Sequence, residues 1–196
     1  LREPDGKVIS AGDFLEAAER YQMMPAIDRI VVQGVLDYLK KEPSPRRCFV
    51  NLSGQSLGDD SFHAFLLEMF AHAPELAKHI TFEVTETAII STLSKAQRIM
   101  ALLRERGCTF ALDDFGTGMS SFVYLKELEV QYLKIAGPFV KNMTTSSLDE
   151  AIVRNFATFA PQMELVTIAE WVEDQETEDL LREMKVDYAQ GYLHGK

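Results

Sequence analysis

Phe110-Ala111-Leu112-Asp113-Asp114-Phe115-Gly116-Thr117-Gly118 decides the reading of the fold: a short apolar run ends in two adjacent aspartates and opens into a glycine-rich turn. The same pattern, an apolar run closed by a polar residue, recurs along the chain. It is found at Cys48-Phe49-Val50-Asn51, Ile80-Thr81-Phe82-Glu83, Tyr132-Leu133-Lys134, Leu165-Val166-Thr167-Ile168-Ala169-Glu170 and Tyr188-Ala189-Gln190. Spacings of roughly 20 to 36 residues between the polar ends leave room for the crossover helix that parallel strands require.

Helical patterns fill those intervals, at about 60 to 72, 91 to 106, 119 to 127, 148 to 161 and 174 to 184, with apolar residues three or four apart. Gly107 closes the second of them as a C-cap glycine. Ahead of the first strand, Asp13 is the expected N-cap of a helix carrying Phe14, Leu15 and Ala18. A second helix runs from about Ala26 to Leu39, with Pro25 at the joint.

Alternating strand and helix predicts an α/β fold with a parallel sheet, and an open doubly wound sheet or a closed barrel satisfies it. The polar ends favour the barrel, in which every strand points its C-terminal end at one mouth; in an open sheet only the strands at the switch point reach the ligand. The expectation is therefore a modified TIM (β/α)8 barrel occupying residues 1–196 as a single domain. Six strands are visible where the barrel needs eight, so the chain reads as a fragment lacking about two strands before Leu1 and a closing helix after Lys196.

The 196 residues, 46% of them hydrophobic, suffice for one sizeable core. A formal charge of -10 argues against nucleic acid as a partner, since a phosphate-binding surface needs clustered Lys and Arg. No run reaches the roughly 18 apolar residues of a membrane span, so no membrane contact is expected of this domain. Cys48 and Cys108 read as reduced, buried thiols, which suits a cytoplasmic protein or the cytoplasmic domain of a membrane-attached one.

Carboxylate and amide oxygens are hard ligands, so Asn51, Glu83, Asp113, Asp114 and Glu170 suit magnesium or manganese better than zinc. Two adjacent aspartates at one strand tip can serve two neighbouring ions that together clamp a phosphodiester, which makes phosphate ester hydrolysis the natural reaction. Lys134 would orient or deprotonate the attacking water and offset charge on the phosphoryl oxygens. Singly, each residue has a plainer reading. Strand-end aspartates cap the next helix, Glu86 is a first-turn carboxylate, Lys134 a solvated strand end and Trp171 a packing residue at the rim. Their joint occurrence at successive strand ends weighs against that.

Asn51-Leu52-Ser53, Glu83-Val84-Thr85-Glu86, Asp113 to Gly118, Leu133-Lys134-Ile135, Ala169-Glu170-Trp171-Val172-Glu173 and Gln190-Gly191-Tyr192 together resemble the EAL domain family of bacterial cyclic di-GMP phosphodiesterases, motif by motif and in the same order. The resemblance implies a modified TIM barrel that opens cyclic di-GMP to linear pGpG with two magnesium or manganese ions. By that resemblance Asn51, Glu83 and Asp113 would hold one ion and Asp113, Asp114 and Glu170 the other. Lys134 and Gln190 would position the water, Glu86 would brace the glycine-rich loop and Glu173 would support the site. A homodimer is also implied, and a GGDEF or sensory domain in the parent chain is compatible with it.

Three departures stand out. The Glu-Ala-Leu signature, with its metal-binding glutamate, would lie before Leu1. Ala136 replaces the aspartate of the usual Lys-Ile-Asp, and Trp171 the usual glycine after Glu170. These departures keep an alternative open: a degenerate domain that binds cyclic di-GMP as a receptor without hydrolysing it. A different metal-dependent barrel enzyme acting on another phosphate or an enolisable acid is the remote third reading.

Overall fold

The computed structural model describes residues 6, 8–42, 46–117, 125 and 127–195. Helices α1 (Ala11–Arg20) and α2 (Met24–Lys41) lead into strand β1 (Cys48–Asn51). Short α3 (Gly54–Gly58), α4 (Asp60–His72) and α5 (Pro74–Ala77) then cross to β2 (Ile80–Thr85). Next come α6 (Glu86–Ser91), α7 (Leu93–Arg104) and β3 (Thr109–Phe115). Beyond β4 (Tyr132–Ile135), α8 (Gly137–Asn142) and α9 (Ser147–Phe159) cross to β5 (Val166–Ala169), and α10 (Gln175–Glu183) crosses to β6 (Tyr188–Ala189).

The strands pair in sequence order, β1-β2-β3-β4-β5-β6, and every pairing is parallel. That order settles the architecture. A doubly wound sheet reverses direction at a switch point, whereas a barrel adds each new strand on the same side. The result is a curled, TIM-barrel-like half-barrel with helices outside it. No helix among the described residues is long and apolar enough to cross a membrane.

Strand alternation divides the side chains between two faces. Val50, Phe82, Val84, Phe110, Leu112, Leu133 and Ile135 are buried in the core beneath the helices. The helices meet them with stripes at helical spacing: Val32, Leu36 and Leu39 on α2, Phe62, Leu66 and Phe70 on α4, and Ile99, Met100 and Leu103 on α7. The concave face carries Phe49 and Tyr132, whose rings meet edge to face at 5.3 Å, beside Arg47. Both cysteines are free thiols; Cys108 is buried and Cys48 partly so, and burial pushes the Cys108 pKa up to about 12.

Local details correct three expectations. Ser10, not Asp13, is the N-cap of α1. Asp13 stands three residues on and accepts hydrogen bonds from the Ser10 backbone N–H at 3.3 Å and hydroxyl at 2.7 Å, closing a capping box. Pro25 sits inside the first turn of α2, where its missing N–H costs nothing, and the joint falls at Gln22 in left-handed backbone (φ 57°). The helix read at 91 to 106 breaks at Thr92 into α6 and α7. Gly107 does end the second segment, at φ +99°. The helix read at 119 to 127 lies largely outside the described residues, as does Gly118.

Near the mouth, the chain from β5 packs backbone against backbone on the turn after β6. The Val172 N–H donates to the Gln190 carbonyl at 3.1 Å, and the Leu193 N–H donates to the Val172 carbonyl at 3.1 Å. A Cβ on Gly191 would lie 2.2 Å from the Val172 oxygen and 2.3 Å from its nitrogen. Neither atom can rotate away. Gly191→Ala is therefore expected to lower stability by roughly 3 kcal/mol, the upper range for overpacking, and the thermal midpoint by about 9 °C, measured by calorimetry. A shift under about 2 °C would show that the two segments are not held together.

Candidate active site

Lys134, one residue from the end of β4, is 3% exposed, and three carboxylates surround its ammonium. Nζ lies 2.7 Å from Glu83 Oε1, 2.8 Å from Asp113 Oδ1 and 2.8 Å from Glu170 Oε1. Glu83 comes from β2, Asp113 from β3 and Glu170 from the residue after β5, so four adjacent strands feed one point. Parallel register sets Asn51 level with Glu83 and staggers the others: Glu83 pairs with Ala111, two residues before Asp113, and Lys134 with Ile168, two residues before Glu170.

Burial and charge act against each other here. Burial alone would lower the Lys134 pKa, but its contacts with Asp113, Glu170 and Glu83 outweigh that and hold it above the usual lysine value. Glu83 and Glu170 are raised above ordinary glutamates, first by burial, with the lysine opposing. Oδ1 of Asp113 is buried and, beyond its ion-pair contact with Nζ, has no hydrogen-bond partner. An acceptor left so in a buried cluster is suited to a cation.

The second aspartate reaches the site through a backbone irregularity. On β3, Leu112 pairs with Leu133 but Phe115 with Ile135, so the register slips by one residue across Asp113 and Asp114. Asp114 adopts left-handed backbone at φ 53°, a conformation aspartate tolerates better than most residues. In a regular strand, consecutive side chains would point to opposite faces; the bulge re-aims one of them. The Asp114 pKa is raised by burial and by the neighbouring Asp113 carboxylate, with Lys134 opposing, which places all three groups in one field.

The remaining predicted residues lie around this centre. Asn51 is exposed at the tip of β1, in register with Glu83. Gln190 is exposed just after β6, in the cleft that Glu170 also lines. Glu86 is buried in the first turn of α6 and lines a small apolar cavity with Leu112 and Phe115, which flank the two aspartates. Glu173 lines the same cleft as Glu170 and Gln190, paired with Lys141 at 3.0 Å. Among the described residues no three His, Cys, Asp or Glu side chains form a ready-made metal cage; the carboxylates are drawn around Nζ instead. Ala136, fully buried, leaves α8 without a side-chain cap, yet Lys134 is held by three other carboxylates.

Asp28 escaped the sequence reading. It is buried on α2 and accepts hydrogen bonds from the Ser53 N–H (3.0 Å), the Ser53 hydroxyl (2.8 Å) and the Ser56 hydroxyl (2.6 Å). These bonds tie α2 to the turn that follows Asn51. The available signal was its place on the apolar stripe of Val32, Leu36 and Leu39, where a lone carboxylate must find buried donors.

Comparison with known proteins agrees with this geometry. The sequence matches the EAL domain family across residues 1–196. It is 37% identical over 199 residues to cyclic di-GMP phosphodiesterase PdeB of Shewanella oneidensis, covering 100% of this chain and 23% of that protein. To cyclic di-GMP phosphodiesterase PdeF of Escherichia coli it is 32% identical over 199 residues, covering 100% of this chain and 27% of that one. The chain thus spans about a quarter of the length of these relatives. A solved complex of the PaMucR phosphodiesterase with c-di-GMP superposes with a TM-score of 0.88 at 28% identity, over 100% of this chain and 81% of that one. With its whole length matched, its strands in barrel order and the motif residues gathered at one end of the sheet, the chain belongs to the EAL domain family.

Proposed function

We propose that this domain hydrolyses cyclic di-GMP to linear pGpG, with two magnesium or manganese ions, as part of bacterial second-messenger signalling. The observation that carries the reading is the convergence of Glu83, Asp113 and Glu170 on Lys134 at adjacent strand ends. All the donors are hard oxygens, and the buried Asp113 Oδ1, which already has a cation, the Lys134 ammonium, against it, suits a divalent ion. The names of the relatives point the same way.

In this reading Asn51, Glu83 and Asp113 hold one ion, and Asp113, Asp114 and Glu170 the other. Bound there, the ions supply charge to neutralise the phosphoryl oxygens and acidify a water. With ions held by those carboxylates, Lys134 would no longer be needed at their centre, and its ammonium would orient the attacking water with Gln190. Glu86, which lines one small cavity with Leu112 and Phe115, braces the turn carrying Asp114 in this reading. Ala136, in the place of a family aspartate, favours the second reading, a receptor that binds without hydrolysis.

The test is chromatography of cyclic di-GMP incubated with the protein and magnesium, manganese or excess chelator. Linear pGpG formed only with metal is the expected result. Binding that survives chelator, with no product under any condition, would establish the receptor instead.

A further inference from the structure

Trp171 stands where the chain departs from its family, and its surroundings do not fit a packing role. The residue holds left-handed backbone at φ 56°, a strained conformation for a tryptophan, and is 53% exposed. A buried aromatic would offset such strain by burying area. This one leaves half of its surface in water.

The ring is nonetheless fixed. A Cβ added to Gly137 would lie 2.1 Å from Trp171 Cδ2, 2.3 Å from Cγ and 2.6 Å from Cε2. Cδ2 is bonded to three ring atoms, so it can be the closest atom only to a group approaching through the ring face. One face of the indole therefore rests flat on the Gly137 backbone, where any larger residue would lift it. The other face is left to a cleft of about 530 Å³ that Glu170, Gln190 and Tyr192 also line.

A flat, pre-positioned indole beside the catalytic carboxylate matches the way proteins hold nucleobases, by stacking on an aromatic face with little entropy to lose. We infer that Trp171 is a specificity-determining residue, a stacking platform for one guanine base of the substrate. This rests on the cyclic di-GMP reading above. Gly137 is its positioning partner, and the strained backbone at 171 keeps the ring over the glycine.

Trp171 is the only tryptophan in the chain, so its fluorescence reports on the platform directly. In excess chelator, with turnover excluded, titration with cyclic di-GMP is expected to quench that fluorescence with the same midpoint that calorimetry gives for binding. Trp171→Gly should weaken calorimetric binding about tenfold, the lower-middle range for one stacked base, while Trp171→Phe should stay within about threefold. Because glycine relieves the positive φ, Trp171→Gly should be at least as heat-stable as the native protein. Calorimetric binding without quenching, with Trp171→Gly binding equally well, would overturn the platform and leave the cyclic di-GMP reading standing. A loss of affinity accompanied by a comparable loss of stability would also overturn it. No calorimetric binding by the native protein in chelator, together with no pGpG formed with metal, would sink both.

Discussion

Lys134→Met is expected to produce the largest loss of stability at the site in metal-free protein, and divalent cations should reverse much of it. The cluster carries three carboxylates and one ammonium, a formal charge of -2, in a place where Lys134 is 3% exposed. Methionine keeps most of the stem and removes the charge, taking the cluster to -3. Removing one partner from a buried ion pair costs about 3–5 kcal/mol, because the charges left behind are neither paired nor hydrated. For a domain of this size that is a fall of about 10 °C in thermal midpoint. Magnesium or manganese entering among the same carboxylates would supply the missing charge and stabilise the folded state by mass action. Calorimetry with and without cation decides it. A midpoint within about 2 °C of the native protein, or one indifferent to cation, would show that the ammonium does not balance the carboxylates.

Asp113→Asn should have the opposite profile, with activity lost and the fold kept. The substitution preserves shape, removes one negative charge from a cluster that has too many, and takes its formal charge from -2 to -1. Stability in metal-free protein should therefore hold or rise slightly. Turnover of cyclic di-GMP should fall by more than about a hundredfold, since even the outer partners of a metal ligand are worth about 10–100-fold. Asp113 would be a direct ligand, shared between both ions. Product assay and thermal midpoint, read on the same preparation, make the check. Retained turnover would remove Asp113 from the ligand set, and a collapse of stability would make its role structural.

Lys134 illustrates how a residue's importance can be visible while its surroundings are not. Its place at the end of an apolar run marked it as a candidate, and its ordinary reading was a solvated strand end. Only the curl of the sheet shows that Glu83, Asp113 and Glu170, each separated from it by at least one strand connection, all reach its ammonium. Trp171 went the other way: taken as a packing residue at the rim, it is exposed on a strained backbone and rests on Gly137, a residue that carries no motif of its own.

The elements themselves were legible because their causes are local. Apolar runs of strand length, stripes at helical spacing, Gly107 after α7 and the recurrence of polar residues at strand ends act within a few residues of chain. Cap identity failed at Asp13 because two residues three apart could each fill the position, and backbone geometry assigned it to Ser10. From the sequence alone, then, came the parallel α/β order and the set of chemically able residues. Which of them meet was decided by tertiary structure: by strand register, by the slip in β3 that turns Asp113 and Asp114 toward one field, and by an ammonium that three buried carboxylates hold between them. The physical reason is range. Propensity and periodicity are properties of adjacent residues, whereas charge balance and packing in a buried site depend on groups that only the folded sheet brings within a few ångströms of one another.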